Sequence, residues 1–245
     1  EEHMVQVIFL QTGRSFLQLE NEYTLDRDDY ELETESLSEH TNEFANIVVS
    51  AASTALFMGD RIQIRWPGQN VNATLGHPSG PANMLAMVYT TNHDIVPLGA
   101  GIYRNNVRIG SVQRPIFSRA LGTDVSRVQL NNSFIMSPQI LATGQNITNF
   151  YGPRPGAGQF VRYRGATSGE QTGTVWISSM DAPMEHPITG QVVIMQGVIL
   201  VTIRGTYGDS GAALIHGTSV AGTLSFGNED QGWVAFSAPI NYRGR

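Results

Sequence analysis

The 245-residue chain contains no cysteine and no lysine. Without a thiol it can form no disulfide, no thiolate nucleophile and no cysteine-based metal site. It therefore tolerates a reducing compartment without requiring one. All 15 cationic side chains are arginine. GC-rich codons favour arginine, yet Ile and Asn, whose codons are AT-rich, are plentiful. A sharper reading is avoidance of the lysine amine as a ubiquitination target, which suits a protein delivered into a host cell; secretion and a cytoplasmic location are the other expectations. Long apolar runs are also missing. None approaches the ~18 residues of a membrane span, and no secretory leader is visible. Charged residues make up only 15% of the chain, and the net charge of −6 supplies no footprint for nucleic acid.

What is present points to a turn-rich globular protein: 41% hydrophobic residues with 26 Gly and 11 Pro. The length suits one large domain or two compact halves. "EEHM" at the start reads as a cloning remnant, which would make Met4 the first natural residue. Ten of the 21 acidic residues fall between Glu20 and Glu43, leaving the rest mildly basic. This acidic stretch reads as a solvated face, with a docking arm for an activator or a pro-like element over a cleft as the other readings. Ser36 and Glu39 fit a capping box. Leu37, Phe44, Ile47, Val48, Ala51, Ala52 and Leu56 follow at three-to-four spacing, predicting an amphipathic helix over 37–57.

Beyond Gly59 the pattern changes. Short runs rich in Ile, Val, Thr and aromatics, such as "RIQIRW", "GIYR", "VRIGSVQR", "QFVRYRG", "GTVWIS" and "VAGTLSF", are separated by Gly, Pro and Asn. That composition predicts antiparallel barrels or a sandwich. "NFYGPRPGAGQ" (149–159) is the natural linker, because its Pro and Gly residues break any ladder. The expected organisation is an N-terminal extension over 1–58, a first strand-rich half over 59–150 and a second over 151–245.

One stretch carries chemistry. "RGTYGDSGAAL" (204–214) sets Ser210 between Asp209 and Gly211. This is a surface turn, or a nucleophile on a rigid loop. A Ser hydroxyl at neutral pH needs a base, and His is the side chain suited to that task. The imidazole in turn needs a carboxylate to fix its tautomer. The best-placed base is His93, where the apolar strand of "MVYTTNHDIVPLG" runs into a loop. The best carboxylate is Asp124, which opens the alternating strand "DVSRVQL". His77 and His186 each precede a Pro, His216 sits in a turn, and Asp94 adjoins His93 and should point away.

With these residues in order, the chain resembles the chymotrypsin-like (trypsin-fold) serine proteases, especially the short bacterial type. "VYTTNHDI" is similar to that family's histidine segment, "GTDVSRVQL" to its aspartate segment and "YGDSGAAL" to its Gly-Asp-Ser-Gly loop. "VRYRGATSGEQTGTV" resembles the turn that opens its second barrel, while "GTLSFG" and "GWVAFSAPI" resemble its cleft-lining and closing strands. The likeness runs over about residues 60 to 242. It implies an all-β fold of two six-stranded antiparallel β-barrels, preceded here by the extension with its helix.

The implied activity is endopeptidase cleavage of a protein or peptide substrate, with no metal and no cofactor. Ser210 would be the nucleophile, His93 the general base and Asp124 its orienting partner. The backbone N–H groups of Gly208 and Ser210 would form the oxyanion hole. Ser225 would hydrogen-bond near Asp124, and Ser225, Phe226 and Gly227 would pair with the substrate backbone. Arg204 occupies the position of the specificity-pocket floor, where it would select an acidic side chain; a slipped loop would leave it at the surface. Asp209 would pair with a buried positive group, often a freed amino terminus, which the sequence does not identify. Departures are Asp94 in place of the usual Cys, and Ala212–Ala213 in place of Gly-Pro. A non-catalytic or activator-dependent protein-binding scaffold is the competing reading. An esterase of α/β-hydrolase type is disfavoured by the lack of a Gly-x-Ser-x-Gly elbow.

Overall fold

Alternation decides which way each strand faces. In β2 (Arg61–Trp66) Ile62 and Ile64 are buried while Arg61 is exposed, and Pro67–Gly68 turns the chain into β3 (Gln69–Thr74). β5 (Gly101–Arg104) and β6 (Val107–Ser118) are joined by Asn105 and Asn106, both at positive φ (50° and 64°). That is the conformation a tight two-residue hairpin requires and Asn tolerates. With β4 (Met87–Thr90) and β7 (Thr123–Leu130) these strands form one sheet in the order β3-β2-β5-β6-β7-β4.

The computed structural model describes residues 54–79, 87–186, 189–228 and 231–237. Residues Thr54–Arg245 make up one unit of the chain. The acidic stretch and most of the expected 37–57 helix lie outside the described residues. The last residues of that expected helix are strand instead: β1 (Thr54–Met58) pairs in parallel with β8 (Phe134–Ile140). Leu56 and Met58 face inward with Met136 in the core beneath the first sheet. The helical spacing of Leu56 is overridden by this pairing.

The second half is a closed barrel, β10-β11-β14-β13-β12-β9. Its strands are β9 (Phe160–Gly165), β10 (Gly169–Glu185), β11 (Val192–Val201), β12 (Ala213–His216), β13 (Ser219–Asn228) and β14 (Trp233–Ser237). Val161, Tyr163, Ile199, Val201, Leu214, Leu224 and Phe236 fill its interior. Burying side chains of this size contributes roughly 1.5–3 kcal/mol each.

The expectation of two closed barrels needs correction for the first half. Its six regular strands form an open sheet whose edge strands are β3 and β4. The chain after β3 spans the gap irregularly, through Gly76 N to Tyr89 O (2.9 Å), Tyr89 N to His77 O (2.8 Å) and Ser79 N to Met87 O (2.8 Å). Pro78 has no N–H to donate, so this segment cannot extend the ladder regularly.

Candidate active site

Register brings His93 to Asp124. β4 and β7 run antiparallel with Thr90 opposite Ser126. Continuing two residues along each strand sets Asn92 opposite Asp124. The N–H groups of Asn92 (3.3 Å) and His93 both donate to Asp124 Oδ1. His93 and Asp94 then take left-handed conformations, with φ 54° and 57°. His rarely adopts this backbone, and such outliers concentrate where a fold over-determines a functional residue. The turn aims His93 Nδ1 at Asp124 Oδ2, 3.1 Å away.

Asp124 is fully buried, and a second strand completes its shell. Between Leu224 and Phe226 the pairing of β13 with β14 slips by one residue, leaving Ser225 as an unpaired bulge. Bulges re-aim side chains, and this one points the Ser225 hydroxyl at Asp124 Oδ2. Each carboxylate oxygen thus accepts two donors. Burial by itself would raise the Asp124 carboxyl, but the neighbouring His93 charge and the hydrogen bonds from His93 and Ser225 outweigh it and hold the group below its ordinary range.

The other nitrogen of the imidazole, Nε2, lies 3.1 Å from the Thr91 hydroxyl. With Nδ1–H donating to Asp124, Nε2 carries the lone pair and Thr91 donates to it. Thr91 was not among the residues the sequence singled out, since an i, i+2 contact of this kind leaves no motif.

Ser210 sits on a loop docked against the first sheet. Thr74 N donates to Ser210 O (2.8 Å), and Thr74 Oγ1 donates to Gly208 O (2.8 Å). A side chain at Gly211 would meet Thr90 Oγ1 at 2.5 Å and Thr91 N at 3.0 Å, so the loop abuts the residues leading into His93. The structure therefore brings His93, Asp124 and Ser225 into direct contact and sets Ser210 on the adjoining loop. Among the described residues the Ser210 hydroxyl bonds to none of the three.

The N–H groups of Gly208 and Ser210 have no acceptor among the described residues. Gly208 has φ 96° and a Cβ there would meet Thr167 Oγ1 at 2.5 Å, so no other residue fits. The Asp209 side chain is fully buried. Oδ1 accepts from Thr167 N and Ser168 N (both 3.0 Å); Oδ2 accepts from Thr206 N (3.1 Å) and the Tyr163 hydroxyl (3.3 Å). Burial, together with the Asp209 charge, pushes the Tyr163 phenol above its ordinary range, so it stays a donor.

Arg204 is exposed, and its carbonyl accepts from the Tyr163 hydroxyl (3.2 Å). Phe226 is half-buried and Gly227 exposed. The pairing of β12 with β13 ends at Thr223, so the same edge of Phe226 and Gly227 has no strand partner among the described residues. His77 is a core histidine: fully buried, packed on Tyr89, its Nδ1 2.9 Å from Pro78 O. Among the described residues no cluster of His, Cys, Asp and Glu could hold a metal, and no helix is long and apolar enough to cross a membrane.

No family profile and no curated protein matches the chain. Solved structures do. The chain is similar to Nocardiopsis protease (NAPase), at 21% identity and a TM-score of 0.59 over 77% of this chain and 94% of that one. It is similar to Cellulomonas bogoriensis chymotrypsin at 22% identity and a TM-score of 0.58, over 77% and 93%. Thermobifida fusca Protease A gives 21% identity and a TM-score of 0.58, also over 77% and 93%. At these identities the likeness establishes the trypsin-like fold.

Proposed function

We propose that this protein is a serine endopeptidase that cleaves peptide bonds through an acyl-enzyme. The observation that carries the reading is the His93–Asp124 pair, 3.1 Å apart with Asp124 fully and His93 partly buried, beside a nucleophile loop whose Gly208 and Ser210 N–H groups are uncommitted. A bound peptide adds as a strand along Phe226 and Gly227, using the backbone edge that β12 leaves free. The Ser210 hydroxyl attacks the scissile carbonyl carbon while its proton passes to His93 Nε2, which must first leave Thr91. Asp124 keeps the second imidazole proton on Nδ1 and stabilises the cation that forms. The Gly208 and Ser210 N–H groups receive the developing oxyanion. His93 then gives its proton to the leaving amine. Water, deprotonated by the same ring, cleaves the ester and restores Ser210.

Arg204 is the residue to test for selectivity. In a peptide-library screen, loss of an acidic preference in Arg204→Ala supports selection by charge. An unchanged cleavage pattern makes Arg204 a surface residue.

The Thr91 bond to Nε2 favours a second reading, a non-catalytic or activator-dependent scaffold that binds protein through the same cleft. Labelling with a fluorophosphonate probe separates the two. Wild type should label and Ser210→Ala should not, with peptide hydrolysis reduced by about four orders of magnitude. If no Ser210-dependent adduct forms under any condition, the enzyme reading falls.

A further inference from the structure

Asp209 is a fully buried carboxylate with no role in the proton transfers described above. Among the described residues the ion pairs are His93–Asp124, Arg104–Asp60 and Arg162–Glu170, and none involves Asp209. Burying a charge without a partner is costly unless hydrogen bonds replace the lost water. Here they do. Two donors reach each oxygen, three of the four being backbone N–H groups of Thr167, Ser168 and Thr206. An ionised carboxylate has about four lone-pair sites, so this cage saturates it.

The sequence is shaped to build the cage. β9 ends at Gly165 and β10 begins at Gly169, and the turn between them aims two successive N–H groups inward, an anion-binding nest. A Cβ at Gly165 would sit inside contact distance of the Asp209 carboxylate, so only glycine allows the approach.

We propose that this cage alone locks the loop carrying Gly208 and Ser210 in its working shape. No freed amino terminus and no buried cation is needed at Asp209. Tyr163, Gly165 and the 166–168 turn are its positioning residues. An ammonium entering the site would displace a backbone donor that has no other acceptor there. The consequence for activity rests on the protease reading; the cage itself does not.

The full chain tests this directly, because it lacks lysine and its α-amino group is the sole primary amine. An acetyl N-hydroxysuccinimide ester therefore blocks the amino terminus selectively. Two quantities are measured: native-state hydrogen exchange at the amides of Thr167, Ser168 and Thr206, and the rate of fluorophosphonate labelling before and after acetylation. The cage predicts protected amides and a labelling rate unchanged within about twofold by acetylation. Tyr163→Phe should slow the limiting labelling rate about ten- to a hundredfold while the probe's apparent affinity holds. Unprotected amides in the folded chain, or labelling that vanishes on acetylation, overturn the proposal, whether or not Tyr163→Phe folds. Protected amides with no labelling in any form, limited proteolysis of the N-terminal extension included, support the cage and remove the protease reading instead.

Discussion

Two carboxylates, Asp124 and Asp209, are fully buried, and each accepts four hydrogen bonds, two per oxygen. They differ in who the donors are. Asp124 shares its oxygens between two backbone amides and two side chains, one a rotatable hydroxyl and the other a titratable ring. Asp209 is held by three backbone amides and one phenol. Adaptable partners let a carboxylate follow a proton as it moves; fixed partners let it hold a backbone still. The same four-donor shell thus serves chemistry at one position and shape at the other.

Replacing each Asp by Asn is the most direct way to break this comparison. Asn presents one accepting oxygen and one NH₂ group. At position 124 the Ser225 hydroxyl can rotate and the imidazole can change tautomer to accept from that NH₂. Asp124→Asn should therefore keep the fold yet cost about 10⁴-fold in turnover, because the ring then carries its proton on the wrong nitrogen. Steady-state hydrolysis and a melting curve on the same sample check both halves.

His77 sharpens the contrast, as a buried titratable group whose ring has a single hydrogen-bond partner among the described residues, Pro78 O. Desolvation lowers its pKa from 6.5 to about 4, despite the raising effect of that backbone bond. The unfolded chain then binds the extra proton first, so stability is full above pH 6.5 and falls as the pH drops towards 4. The expected loss is about 3 kcal/mol over that window. Urea unfolding at several pH values should show the slope in wild type and its absence in His77→Gln. An equal slope in both would assign the acid sensitivity elsewhere. At position 209 the amide of Thr206 cannot turn away from an Asn NH₂. Asp209→Asn should accordingly lower stability by about 1–3 kcal/mol, the cost of one orphaned buried donor. A melting temperature equal to wild type would mean that the cage is not rigid.

How much of this was readable in the sequence follows from what each feature depends on. Strands such as β2 and β5 were legible because their alternation and turn residues are local. β8 was not: "FIMSPQI" carries Pro138 in its interior, and its parallel partner β1 lies some 80 residues earlier, inside a stretch with helical spacing. Strand-rich text left barrel and sandwich open for the second half, and the expectation of a barrel there came from the family resemblance. The irregular seam of the first could not, because it rests on backbone groups around Pro78. At the site, the segments around His93, Asp124 and Ser210 announce themselves by residue type and order. The cage around Asp209 was half visible, since the Gly165–Gly169 turn could be seen without the carboxylate it surrounds. Tyr163 was not visible at all; its hydroxyl acquires a role only through folding of the barrel.

Thr91 gives the smallest effect, and its sign is the informative part. Its hydroxyl lies 3.1 Å from Nε2, the atom that must take the Ser210 proton in the proposed reaction. If the two hydroxyls compete for one lone pair, removing Thr91's frees the base. A hydrogen bond of this kind contributes about 0.5–1.5 kcal/mol net, so Thr91→Ala should raise the fluorophosphonate labelling rate roughly two- to tenfold. Thr91→Ser retains the hydroxyl and should behave as wild type. A slower Thr91→Ala would show instead that this contact orients the ring for Ser210. The fixed kind of support seen around Asp209 would then extend to the outer face of His93, and the division between adaptable and fixed partners would need redrawing.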